Sequence, residues 1–173
     1  MTKRRVKGMV VANGDIYTWK HTFFYAQGVL DLVRIFVSMG TLMTPAEYIS
    51  RQQKDRIPIL SNIHSIILQE DPGITPKVGP MMGKEMILYM ERGYFKYGLA
   101  GVKNYMSMHI MPIYGGSPLH AKYQQLLPQM EFQKGCINFK PDREVPMEII
   151  RRLFADCAKI SIAAMLEKRN KRT

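Results

Sequence analysis

The chain has 173 residues, 46% of them hydrophobic and 23% charged, with a formal net charge of +11. Those proportions exclude a disordered polymer and describe one globular domain with its own core, in a chain too short for two ordinary ones. The positive charge invites a nucleic-acid reading, but four of the excess charges fall in residues 1–42 and four more in the last six residues, so the sequence describes basic ends rather than a basic stripe on a folded face.

The first 42 residues differ from the rest of the chain. Lys3, Arg4, Arg5 and Lys7 resemble the basic start of an export signal, yet Asn13, Asp15, Trp19, Lys20 and His21 interrupt any apolar run behind them. Between Thr22 and Leu42 the chain is apolar enough to suggest a membrane span, but Gln27, Asp31 and Arg34 lie inside it, and charges at bilayer depth are costly. Asp31 and Arg34 could pair on a helix whose Leu30, Val33 and Val37 form an apolar strip, which suits a peripheral docking helix. Residues 1–42 are therefore expected to be an accessory or mis-annotated extension, with the natural start at Met43, residues 43–167 the domain and 168–173 a basic tail.

From Met43 the pattern becomes that of a folded domain. Thr44, Pro45 and Glu47 form a capping box with proline at the first helical position, so a helix starts there. A second helix is predicted from Asp55 to Glu70, with Leu60, Ile63 and Ile67 as its stripe and Pro58 tolerated in its first turn. His64 sits beside that stripe with no second ligand three or four positions away, and it reads as a structural histidine. Ile74 to Pro80 and Glu85 to Met90 read as extended, with turns at Gly83 and at Arg92 and Gly93.

Gly93 to Met111 carries the clearest two-residue alternation, with Phe95, Tyr97 and Leu99 followed, after a turn at Gly101 to Asn104, by Met106, Met108 and Ile110. Two such strands make an antiparallel hairpin in mid-sheet, and with the strands before it a meander. Beyond Pro112 a short helix is predicted from a Ser117 cap, then a strand near Cys136 to Phe139. One long helix is then predicted from Pro146, through Ile149, Ile150, Leu153, Cys157, Ile160 and Ala164.

The expected fold class is α+β, a two-layer sandwich of an antiparallel sheet with helices on one face. With helices over the face holding Phe95, Leu99, Met106 and Met108, the opposite face is expected to present Tyr89, Lys96, Tyr105, Ser107 and His109, with Gly98 and Ala100 leaving room between them. These five are the candidate binding residues, with Lys96 as a positive anchor for an unknown small ligand or protein partner. The alternative is a merely solvated face.

The string MSMHIM suggests soft copper, but strand parity sends His109 away from Met106 and Met108, and core filling explains the methionines. Cys136 and Cys157 have no zinc spacing, imply no disulfide framework, and suit a reducing cytoplasm. No GxSxG, HExxH, P-loop or dinucleotide glycine pattern occurs, so no catalytic residue is assigned and an enzyme is not expected. An activated thiol at Cys136 is the form an enzyme reading would take.

The order of capped helix, PKVGPMMGKEM, YFKYGLAGVKN, MSMHIM and FQKGCINF, closing on a proline-initiated helix, resembles the YdhG-like domain, a bacterial family of unknown function. The likeness runs from about residue 43 to 165 on the domain-length prior and is carried most by Tyr94 to Asn104 and Lys134 to Phe139. It implies a sandwich likened to the frataxin fold, and some members are labelled frataxin-like iron chaperones. Iron delivery needs clustered carboxylates, whereas the early helices offer only Glu47, Asp55, Glu70 and Asp71. The expectation is a small non-catalytic binding or carrier module, with iron chaperoning and weak nucleic-acid binding through the basic termini as alternatives.

Overall fold

The computed structural model describes residues 43–114 and 117–171. The chain divides into two units, Met1–Leu42 and Met43–Thr173, and every described residue belongs to the second. The docking helix expected between Thr22 and Leu42 lies outside the described residues.

Helix α1 runs from Pro45 to Ser50. The Thr44 hydroxyl accepts from the Glu47 amide at 3.2 Å while the Glu47 carboxylate accepts from the Thr44 amide at 2.7 Å, which closes the capping box. Helix α2, Ile57–Glu70, has Pro58 in its first turn and buries Leu60, Ile63, Ile66 and Ile67. Burial lowers the pKa of His64, and its Nδ1 meets the Tyr89 hydroxyl at 2.7 Å, so this histidine is a satisfied structural group.

Strands β1 (Ile74–Met81), β2 (Lys84–Glu91), β3 (Tyr94–Val102) and β4 (Tyr105–Ile110) form the expected antiparallel meander. Met82 and Gly83, then Arg92 and Gly93, all have positive φ, the paired left-handed geometry that matches two-residue hairpin turns to strand twist. After a helical turn at Met111–Ile113 and helix α3 (Pro118–Leu126), capped by Ser117, come β5 (Glu131–Gln133) and β6 (Cys136–Phe139). The six strands are ordered β1-β2-β3-β4-β6-β5, and every pairing is antiparallel. The three-residue β5 has no alternation long enough to find in the sequence.

The single helix expected from Pro146 is two, α4 (Met147–Ala158) and α5 (Ile162–Asn170). The chain breaks because Ser161 acts as a new N-cap, accepting from the Ala164 amide at 3.1 Å. The main core joins α2 and α4 to Ile87, Tyr89, Tyr97, Leu99, Met106, Met108, Ile110, Ile137 and Phe139 of the sheet. A second, smaller cluster of Met86, Leu88 and Ala100, with Phe95, Met90 and Val102 packed on it, belongs to the other face.

Two contacts fix the far end of the hairpin. The Tyr48 hydroxyl accepts from the Gly101 amide at 3.0 Å, and a Cβ on Gly101 would come within 2.0 Å of Gln52 Oε1, so a larger residue there would push the Gln52 side chain aside. The buried Arg56 guanidinium donates to the carbonyls of Val102, Lys103 and Tyr105, clasping the β3–β4 turn.

Candidate functional site

The five candidate residues do not share a face. Tyr89 pairs with Tyr97, but Met90 pairs with Phe95, leaving Lys96 as the extra residue of a β-bulge. The bulge reverses side-chain parity within β3. Phe95 therefore packs on the second face, against expectation, while Tyr97 and Leu99 enter the main core. Tyr89 is fully buried in that core, and Lys96 is 0% exposed. Neither lies on the second face.

Lys96 is held between two carboxylates. Its Nζ lies 2.7 Å from Asp71 Oδ2 and 3.5 Å from Glu91 Oε1, a close ionic contact without the directionality of a hydrogen bond. The Tyr97 hydroxyl donates to the same Asp71 oxygen at 2.9 Å, and burial together with that negative charge drives the Tyr97 pKa far upward. Glu91 also accepts from the Ala163 amide at 2.9 Å. Burial pushes the Glu91 carboxyl up, but that amide and Lys96 outweigh it and hold the pKa below its ordinary value. The result is an internal ionic knot that ties the end of α2, the β2–β3 hairpin and the start of α5 together. A lone lysine in an apolar interior would be costly, and here paired charge supports it.

Tyr105, Ser107 and His109 do lie on the second face, because their cross-strand partners Val102, Ala100 and Gly98 line it. Across the next strand pair, Ser107 faces Asn138 and His109 faces Cys136. The Ser107 hydroxyl donates to Asn138 Oδ1 at 2.7 Å, and Cys136 Sγ lies 3.0 Å from His109 Nδ1. Four polar side chains thus form a square on β4 and β6, Ser107 and Asn138 buried and His109 and Cys136 partly exposed, on the face that holds Met86, Leu88 and Ala100. At its edge Lys84 Nζ sits 5.7 Å above the Tyr105 ring and 3.5 Å from its hydroxyl.

Electrostatics leave the Cys–His pair uncharged. Burial, then the Lys84 charge, lowers the His109 pKa, and burial raises that of the Cys136 thiol. At neutral pH the imidazole keeps a lone pair and the thiol its proton, the opposite of the thiolate–imidazolium pair that makes a strong nucleophile. The sequence raises Cys136 only as an activated thiol and does not point to Asn138. Their alternation with Ile137 and Phe139 carries the information, but only the strand order reveals β6 as the neighbour of β4.

A separate groove lies between α3 and α4, lined by Lys122, Tyr123, Leu126, Arg152, Asp156 and Lys159. Asp156 accepts from Lys122 at 2.7 Å, Tyr123 at 2.8 Å and Lys159 at 2.9 Å, and these bonds hold its pKa far below the usual carboxylate range. Its cations are thus largely spent on one carboxylate. Among the described residues no three of His, Cys, Asp or Glu gather as a metal-holding group, and no helix is long and apolar enough to cross a membrane.

No family model and no curated protein matches the chain. Its fold is similar to that in the crystal structure of a DUF1801-family protein, YdhG from Bacillus subtilis, with a TM-score of 0.49 and 10% identity, covering 63% of this chain and 83% of that one. This chain is itself an α+β domain built on an antiparallel sheet.

Proposed function

We propose that the protein is a small non-catalytic binding module, working in a reducing compartment, whose ligand seat is the Tyr105, Ser107, His109, Cys136 and Asn138 patch on the second face of the sheet. The observation that supports this most is the grouping of two polar cross-strand pairs amid apolar neighbours, on rigid strands rather than loops. Ligand sites combine apolar lining with a few fixed polar groups in this way. The neutral thiol and imidazole favour recognition over nucleophilic chemistry. Iron delivery is less well supported, because the carboxylates of Asp71 and Glu91 are neutralised by Lys96 within the core.

The test is amide shift mapping by NMR on the full chain, titrated with fractionated small-molecule extract. Shifts should concentrate at Tyr105, Ser107, His109, Cys136 and Asn138, and Tyr105→Ala with Ser107→Ala should abolish them. Shifts confined to the groove around Lys122 and Arg152 would overturn the assignment.

A further inference from the structure

Strand parity alone turns Met106 and Met108 away from His109 and so disfavours copper, and the structure does bury both methionines in the main core. It brings another soft donor to His109 instead. Cys136 Sγ stands 3.0 Å from Nδ1. Nearby, a Cβ added to Gly98 would come within 3.0 Å of Met86 Sδ, 3.3 Å of the His109 Cβ and 3.3 Å of Phe95 Cζ, so the thioether, the Phe95 ring and the base of the His109 side chain share the space over Gly98. Thiol and imidazole are therefore neighbours across β6 and β4.

We infer that Cys136 Sγ and His109 Nδ1 form a two-coordinate site for a soft monovalent cation, Cu(I). This rests on the binding-module reading above and names its ligand. Three arguments select the ion. A thiolate favours Cu(I) over hard divalent ions. Two strong donors are too few for the closed four-ligand shell of structural zinc. Binding replaces the thiol proton, Cys136–SH and Cu(I) giving Cys136–S–Cu and a proton released to water, with no change in oxidation state. The thiolate and the monovalent ion then cancel in charge, which suits a partly buried place on a face whose edge carries the Lys84 ammonium. A divalent ion would leave an uncompensated positive charge beside that lysine.

The pair must open to admit the ion. Bonds of about 2.3 Å to sulfur and about 2.0 Å to imidazole nitrogen, as at zinc, separate the two donors by roughly 3.5 to 4.3 Å depending on the angle. Both side chains are only partly buried, so rotation of each can supply the extra ångström.

The experiment uses the full chain, reduced and anaerobic, with Cu(I) supplied against a chromophoric Cu(I) chelator, and alkylation of each cysteine read by peptide mass. Cu(I) should protect Cys136 from alkylation, whereas Zn(II) at the same concentration should not. Loss of a metal's outer hydrogen-bond partner costs about 10- to 100-fold in affinity, so Cys136→Ser and His109→Gln, which remove ligands, should each cost at least about a hundredfold. Unchanged alkylation of Cys136 with Cu(I), or unchanged affinity in Cys136→Ser, overturns the proposal, and the alkylation arm does so without relying on any variant that must fold. If copper is ignored while small-molecule shifts still depend on Tyr105 and Ser107, the metal assignment falls and the binding module stands. If copper binds but no organic ligand shifts the patch, the metal site stands and the wider seat falls.

Discussion

The two faces of the sheet handle polar groups in opposite ways. Facing the helices, Lys96, Asp71, Glu91 and Tyr97 are drawn into a charged knot whose members satisfy one another, so their chemistry is consumed in holding elements together. On the other face Ser107, Asn138, His109 and Cys136 pair as neutral neighbours, the first two buried and the last two partly exposed, so that the Cys136–His109 end is the one a ligand can reach. A lysine or histidine on an alternating strand thus acquires its role from the side it is given. In β3 one inserted residue decides that side.

The contrast can be broken most severely at Lys96. Lys96→Ala strands two carboxylates in the interior and should cost about 3–5 kcal/mol, as expected for breaking a buried pair. Urea unfolding would measure it, and a cost below about 1 kcal/mol would remove the knot from its structural role. Tyr97→Phe deletes one bond to a charged acceptor and should cost about 1.5–3 kcal/mol by the same assay.

On the other face the same kind of deletion should matter less. Ser107→Ala removes a neutral hydrogen bond and should cost about 1 kcal/mol, so equal losses at Tyr97 and Ser107 would erase the distinction. The smallest effect is on pH. His64 and His109 both have pKa values depressed by burial, one on each side of the sheet. Their neutral forms are favoured in the fold, so this stabilisation is full above the unfolded histidine pKa of about 6.5 and is lost as pH falls toward the lower folded values. His64→Gln and His109→Gln should each flatten the decline of thermal midpoint below about pH 6.5. If neither does, the histidines are not what sets it.

Much of the architecture is legible because local chemistry and global fold agree. The capping box at Thr44, the proline in the first turn of α2 and the glycines after β1 and β2 each punctuate the chain where the structure does. The candidate site is legible only in part. Tyr105, Ser107 and His109 obey simple alternation, but the parity argument for Tyr89 and Lys96 assumes an uninterrupted ladder, and a bulge leaves no residue-type signature in YFKYG. Cys136 and Asn138, as partners of His109 and Ser107, are hidden for a different reason. Their partnership is a fact of topology, set by β6 pairing with β4 across an intervening helix.

Arg56 lies 46 to 49 residues before the carbonyls it clasps at Val102, Lys103 and Tyr105. A hairpin tip ordinarily owes its order to its own two strands, whereas this one is pinned from the start of a helix far upstream. Closing so long a loop carries an entropic cost that local pairing does not, so the tip should become rigid only after that helix has docked. Amide exchange at Lys103 and Asn104 would then act as a clock for helix docking rather than for strand pairing.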